Sequence, residues 1–356
     1  MCINATMLYI CYIDIEKEKL LSGSSVRPSK MLEAFKQLGY NVIPLTGEQV
    51  KKDRVHDIKK LKDSIDRIKI DFCYIESPTY PIIRHSDRAL IKYIHKKGIP
   101  IGYFYRDFYR KFPKLFPKRK NFTGFIKEIG LDFLQFLTDK VLNCCDIIYL
   151  PSDECKYLFN YKKMKALPPA GEDHLNKKTF NYTGIYVGGI SEGYGIKLLF
   201  QIFDMLYSID SRYKLILVCR KEEWDNIDLK YKNVPWIEVL HLSSGKLSTV
   251  YDRASFALSC KEKTSYNEFA VSVKVFEYLS YGLPQLNVDS AAIKKFIDKE
   301  NIGFALDENP KLFVDAIEKI RKDPEMYSKI CYNIKDALLN RHLWISRAEK
   351  VTSDLK

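Results

Sequence analysis

The chain reads as an α/β protein of two doubly wound, Rossmann-like domains in tandem. Three observations lead there. Short apolar runs alternate with charged amphipathic stretches at the spacing of parallel βαβ units, and the alternation halts at a proline-bearing segment and then restarts. The length, 356 residues, also exceeds what one hydrophobic core usually organises. Met7-Leu-Tyr-Ile-Cys-Tyr-Ile13 is the first buried strand. It meets Asp14, Glu16 and Glu18 without the small-residue cleavage pattern of a signal peptide, and it is too short to span a bilayer. A loop over 21–28 leads into an amphipathic helix over 29–38, which Gly39 ends. A strand over 41–45, a charged helix over about 53–69, a strand over 72–76, a helix over about 87–97 and a strand over 99–104 follow. A helix over about 122–142 and a strand over 147–150 complete the first unit. Residues 165–180 contain Pro168-Pro169 and Gly171 without periodicity and read as a linker. The second round opens with a strand over 184–187, a helix over about 194–207 and a strand over 213–218, with further strands near 236–239, 255–259 and 285–288. The domains therefore run 1–165 and 166–335. Ligands of such sheets bind outside the carboxyl ends of the strands, so a cleft between the two domains is the expected site.

Composition narrows the chemistry. Hydrophobic content of 46% with 29% charged residues is ordinary for a well-packed soluble chain. Nine cysteines are scattered without a C-x-x-C pair or histidines at ligand spacing, so neither zinc nor a disulfide framework is expected, and a reducing cytoplasm fits. Asp-x-Asp, often used to hold a divalent cation against a nucleoside diphosphate, is absent. No metal or other cofactor is expected; cations and helix termini must hold any phosphate.

The net charge of +13 points to anionic partners: nucleic acid, an acidic membrane or an anionic substrate. Residues 96–120 hold nine basic side chains, among them Arg110, Lys111, Lys118 and Arg119, against Asp107 alone. Phenylalanines and tyrosines are interleaved with them. That mixture suits the interface of an anionic membrane, where these four cations would face lipid or acceptor, and it also suits stacking on single-stranded nucleic acid. A basic, partly buried loop gives the same pattern.

The segment Val271-Ser-Val-Lys-Val-Phe-Glu-Tyr-Leu-Ser-Tyr-Gly-Leu-Pro284 reads as a short helix capped by Ser272 and ended by Gly282 and Pro284. Lys274 then falls in the first turn, where unpaired N–H groups and the macrodipole already make the surroundings positive, and a bound phosphate would relieve that conflict. Glu277 shares its face and can accept from a vicinal diol. Phosphate beside diol describes a nucleotide. The same spacing describes an ordinary surface helix with a Lys–Glu pair and Val275, Phe276 and Leu279 in the core. Gly188-Gly189 and Gly193-Tyr-Gly195 follow a strand and precede a helix, where glycines let backbone approach a phosphate. They lack the G-x-G-x-x-G spacing, so a nicotinamide fingerprint is poorly supported. Arg220 and Lys221 also follow a strand directly, either into the same cleft or as solvated charges.

Taken together these elements resemble the two-domain GT-B glycosyltransferases, in particular family 4-like enzymes of bacterial capsular and exopolysaccharide synthesis. The resemblance covers nearly the whole chain. Its strongest part is Lys-x-x-Glu-Tyr-x-x-x-Gly-x-Pro, matched by Lys274, Glu277, Tyr278, Gly282 and Pro284, supported by Tyr186-Val-Gly-Gly189, Leu247-Ser-Thr-Val-Tyr-Asp-Arg-Ala254 and Trp344 in a terminal helix. It implies that Glu277 holds the donor ribose, that Lys274 holds the diphosphate with the Gly188-Gly189 loop close by, and that the loop bearing Gly23 and Ser24 packs near the donor phosphates. It further implies a C-terminal helix, 336–356, that crosses back onto the first domain. Two departures stand out. Many retaining members carry a glutamate eight positions before the one matched by Glu277; Phe269 stands there, beside Glu268. The cation expected after the Gly-Gly turn is replaced by Ile190, which makes Arg220 the substitute candidate. An inverting mechanism needs a carboxylate base, and Asp107, then Glu76, end strands of the first domain where a base is expected. Either can instead pair with a nearby arginine.

The resulting expectation is a cytoplasmic, peripheral membrane enzyme on the inner face of the plasma membrane. It moves a sugar from a nucleotide sugar, with UDP as the expected nucleotide, to a saccharide or polyprenyl-diphosphate-linked acceptor. A nucleotide-sugar epimerase of the same fold and a basic nucleic-acid-binding protein are the rival readings. No RNA- or DNA-binding module is recognisable, so nucleic acid is not the expected partner.

Overall fold

The computed structural model describes residues 5–15, 23–116, 122–242 and 246–356, with backbone alone for 23–25. The chain forms two compact units, one of Met1–Pro168 with Trp344–Lys356, the other of Pro169–Leu343.

In the first unit six strands, β1 (Thr6–Ile10), β2 (Asn41–Leu45), β3 (Phe72–Glu76), β4 (Ile101–Phe104), β5 (Ile147–Leu150) and β6 (Met164–Ala166), pair in the order β2-β1-β3-β4-β5-β6. Every pairing is parallel. Helices cover such a sheet on both faces, which is why β3, β4 and β5 are buried at every position and read in sequence as unbroken apolar runs.

Two expectations change here. The segment expected to be a loop over 21–28 is in its described part already helical: one helix runs Gly23–Gln37 with Pro28 inside it. A proline this near the N-terminus forfeits few backbone bonds, and its carbonyl accepts a 2.6 Å bond from the Tyr9 hydroxyl. The expected linker begins late, because Met164–Ala166 pairs with β5 as an edge strand too short to show periodicity.

The second unit holds β7 (Thr183–Val187), β8 (Lys214–Val218), β9 (Ile237–Leu240), β10 (Phe256–Ser259), β11 (Gln285–Val288) and β12 (Gly303–Leu306), in the order β12-β11-β10-β7-β8-β9. All are parallel. This is the doubly wound order in which the winding reverses between the first and fourth strands, here β7 and β10. β12 went unread because it is a half-buried edge strand that opens with a glycine. The helix Ile196–Ile209 covers one face, packing Leu199, Phe200, Phe203 and Leu206 among Trp236, Phe256 and Leu217.

The end of the chain is two helices rather than one. Pro324–Arg341 stays with the second unit, His342 and Leu343 interrupt it, and Trp344–Leu355 returns to the first. There it packs against Gly23–Gln37, β3 and β4, burying Trp344, Ala348, Val351 and Leu355. Arg347 Nε donates to the Pro168 carbonyl at 3.0 Å, and Asp354 accepts from the Tyr149 hydroxyl at 3.2 Å. Among the described residues no helix is long and apolar enough to cross a membrane.

Candidate functional site

Val273–Ser280 is the expected helix. Ser272 caps it, its Oγ accepting from the Lys274 N–H at 3.3 Å, and Gly282 takes the left-handed conformation at φ +72°. Val275, Phe276 and Leu279 enter the core. Tyr278 fastens the helix to the point where the sheet order reverses: its hydroxyl donates to the Leu258 carbonyl of β10 at 3.1 Å and accepts from the Val187 N–H of β7 at 3.4 Å.

The decisive detail is where Lys274 goes. Among the described residues Lys274 and Glu277 form no ion pair, although three positions along a helix would permit one. Instead the Lys274 ammonium donates to the Tyr186 hydroxyl at 3.0 Å, with the Tyr186 and Tyr194 ring centroids 4.3 and 5.2 Å away. Tyr186 in turn donates to the Gly189 carbonyl at 2.6 Å, so the lysine reaches the Gly188-Gly189 turn through one hydroxyl. Gly188 has φ +143°, and a Cβ on it would lie 2.2 Å from Lys274 Nζ. Only a glycine leaves room for that approach. Burial pulls the ammonium down to about pKa 8, opposed by attraction from Glu277 and reinforced by repulsion from Lys261.

Glu277 is also partly buried, and burial raises its pKa against the attraction of Lys274. Its one described hydrogen bond is a long one, 3.5 Å from the Tyr251 hydroxyl. The carboxylate therefore keeps most of its accepting capacity. Lys274, Glu277 and the Gly188-Gly189 turn thus come together at the carboxyl ends of β7 and β10, the place where open α/β sheets bind ligands. Tyr186, Tyr251 and Glu223 belong to the same constellation; the two tyrosines entered the sequence reading only inside motifs, with no role, and Glu223 escaped it. Glu223 steadies the turn by accepting from the Ile190 N–H at 2.8 Å.

The remaining candidates are distributed differently. Arg220 stands after β8 with a largely exposed side chain, 3.7 Å from Glu223. Glu268 accepts from the Ala291 N–H at 2.7 Å and so caps the helix Ala291–Glu300. Gly23 and Ser24 lie in the opening turn of Gly23–Gln37. Glu76 is fully buried: its Oε1 accepts from Arg27 Nε at 3.0 Å and from the Tyr74 hydroxyl at 2.7 Å. Arg27 is held in turn by the Leu167 carbonyl at 3.0 Å and stacks on Phe104, 3.5 Å from the ring centroid. Asp107 follows β4 and pairs with Arg106 Nε at 2.9 Å. Arg110 is turned to two carboxylates of the helix Phe122–Leu142, Glu128 at 3.0 Å and Asp132. Lys111 lies 5.1 Å over the Phe159 ring, while Lys118 and Arg119 fall outside the described residues. No group of three histidine, cysteine or acidic side chains placed to hold a metal occurs among the described residues.

Comparison with known proteins gives the fold a name. Residues 203–353 match the family model described as glycosyl transferase-like. No curated protein matches the chain by sequence. Among solved structures, a glycosyltransferase from Rickettsia africae is 12% identical with a TM-score of 0.61, covering 99% of this chain and 97% of its own. WaaG, a glycosyltransferase involved in lipopolysaccharide biosynthesis, is 12% identical with a TM-score of 0.59, covering 98% and 99%. S. aureus MnaA, solved with UDP, is 13% identical with a TM-score of 0.53, covering 98% and 95%. The chain therefore has the two-unit GT-B fold seen in these glycosyltransferase structures, and its residues 203–353 match a glycosyl transferase-like family model.

Proposed function

We propose that this protein transfers a sugar from a nucleoside diphosphate sugar to a saccharide acceptor held at an anionic membrane surface. The observation that carries the donor half is the Lys274 ammonium, turned away from Glu277 and toward the Gly188-Gly189 turn. A phosphate there meets a cation and a helix N-terminus together, while Glu277 remains able to accept from ribose hydroxyls. Negative charge grows on the departing diphosphate as the glycosidic bond breaks, and Lys274 with the helix terminus stabilises it. UDP is the expected nucleotide, in keeping with the UDP bound by MnaA. As the acceptor oxygen bonds to the sugar carbon its proton must leave; Asp107 is the proposed base, since Glu76 is occupied by Arg27 and Tyr74. An Asp107→Asn variant that still turns over would remove it from that role.

The acceptor half rests on the helix Phe122–Leu142. Phe122, Phe125, Ile126, Ile129, Phe133 and Phe136 are each more than half exposed, and they recur at helical spacing along one side. Apolar area of that kind on a chain of net charge +13 suits an anionic leaflet, and Lys140, 4.6 Å from the Phe136 ring, is placed to reach headgroups. A place in surface-polysaccharide synthesis follows from an acceptor so located and accords with WaaG.

The test of the donor site is thermal stabilisation by UDP-, GDP-, ADP- and CMP-sugars, run beside Glu277→Ala and Lys274→Met. A ligand that binds only the folded state raises the melting temperature. A shift with one nucleotide that both variants abolish is the expected result, and no shift with any of them overturns the reading. For the membrane, vesicles rich in anionic lipid are expected to sediment the wild type and not Phe125→Ser/Phe133→Ser.

A further inference from the structure

One cation near the candidate site is still without a task. Lys261 is the second residue after β10, at the strand end where the sheet order reverses. It is partly buried, and burial lowers its pKa. Among the described residues no carboxylate lies within ion-pair distance of its ammonium; its one described neighbour of note is the Tyr266 ring, 6.0 Å away. Lys263, two positions on and more exposed, is by contrast paired with Asp289 at 2.9 Å. A partly buried lysine without a counter-charge is costly, and proteins seldom retain one unless something anionic completes it.

The surrounding backbone shows what it faces. On one side of Lys261, the Cys260 carbonyl is packed so tightly on Gly195 that a Cβ there would lie 1.6 Å from the oxygen. On the other side, the Glu262 N–H donates to the Gly193 carbonyl at 3.2 Å. Residues 260–262 are thus docked on the Gly193-Tyr194-Gly195 turn, whose middle ring lies 5.2 Å from Lys274 Nζ. Lys261 and Lys274 thus both lie beside this one glycine turn, close enough for the first ammonium to repel the second. Glu277 and Glu223 attract Lys274 from the same surroundings, and neither forms an ion pair with Lys261 among the described residues.

A second, independent observation lies beside Lys261. A cavity of about 30 Å³ opens between the ends of β10 and β11; its lining includes Lys261, Ser272 and Asn287 together with Glu262 and the Lys263–Asp289 pair, so Glu262 is the carboxylate there that Lys263 does not neutralise. Ser272 is the residue that caps Val273–Ser280, so the cavity reaches that helix's N-terminus. Asn287 is 2% exposed, and its amide nitrogen has no hydrogen-bond partner. A buried donor left without an acceptor is disfavoured, and this one lines a space big enough for one or two oxygen atoms.

We infer that Lys261 is the second diphosphate-binding cation of the donor site, acting beside Lys274 while the Asn287 amide donates to an oxygen of the same group. The inference rests on the donor-site reading above. It assigns the second charge to Lys261 rather than Arg220, whose side chain is 73% exposed and leans on Glu223.

Titration calorimetry of the full chain with UDP, GDP and ADP, and with the corresponding nucleosides, tests it. Lys261→Met is expected to weaken the diphosphate that the wild type binds by at least about tenfold, as loss of a charge-assisted hydrogen bond implies. The nucleoside should bind as before, and the slope of affinity against salt should become shallower. Lys261→Arg should retain most of the affinity. Melting of the unliganded variant is the control for folding, and it should be unchanged or slightly higher because a repulsion is removed. Diphosphate binding by Lys261→Met equal to wild type, with Lys274→Met defective, overturns the role of Lys261 and leaves the donor site standing. Absence of nucleotide binding by the wild type overturns both.

Discussion

In the first turn of Val273–Ser280 the Lys274 ammonium sits among like-signed charge, from the unpaired N–H groups of the turn and from Lys261. Burial is the largest influence, and it brings the pKa from an ordinary 10.5 to about 8. The sign of the consequence follows. A bound diphosphate holds the proton that the free lysine releases near pH 8, so above that value each pH unit should weaken diphosphate binding by about tenfold, while below it this group adds no slope. Stability of the unliganded protein moves the other way. The unfolded chain keeps the proton up to about 10.5 and the folded chain loses it near 8, so between those values this group's contribution rises with pH. Calorimetric titrations between about pH 7 and 9.5 check the binding arm, and Lys274→Met should lose the part of the slope that sets in near pH 8. Lys274 and Glu277 were readable from sequence because one helix carries both. Tyr186 was visible only as part of a motif, and Lys261 not at all, since each meets the site through a fold that closes long loops.

At the scale of elements, Tyr278 matters more than the cap it follows. Its hydroxyl ties Val273–Ser280 to both strands of the switch point. Tyr278→Phe leaves the Leu258 carbonyl and the Val187 N–H short of a partner in a buried place, a loss of about 1–3 kcal/mol. For a unit of this size the melting transition should fall by about 2–4 °C per kcal/mol, with the helix content by circular dichroism unchanged. The strongly periodic helices and the buried strands were legible, because parallel sheets write themselves as continuous apolar runs. The opening turns of Gly23–Gln37 were not, because Pro28 reads locally as a stop; the Tyr9 hydroxyl that binds its carbonyl is distant in sequence. The edge strands Met164–Ala166 and Gly303–Leu306 are short and half exposed, so they carry almost no pattern.

For the whole molecule, the return of Trp344–Leu355 to the first unit makes the end of the chain part of the first unit's core. Ending the protein after Leu343 would uncover the apolar face that this helix buries, and would strip Arg347 from the Pro168 carbonyl. The first unit should lose most of its stability, while the transition of the second, which spans Pro169–Leu343 and has its own buried clusters, persists. Differential scanning calorimetry of the truncated chain, with hydrogen exchange to assign each transition, is the measurement. A single transition shifted as one would show that the units melt together.

Alternation of period and the two-round layout determined the α/β class and the two doubly wound units, and the spacing within one short helix determined Lys274 and Glu277 as a pair to watch. These are local properties, encoded within a few turns of chain. The tertiary structure alone decided which groups meet. It placed Lys274 on Tyr186, 88 positions away, in preference to its own helix neighbour, and it set Arg27 on Glu76, 49 positions away, taking that carboxylate out of solvent. It also turned Arg110 to Glu128 and Asp132. Charge in a folded protein is assigned by desolvation and by the nearest partner in space, and neither is written in the order of the residues.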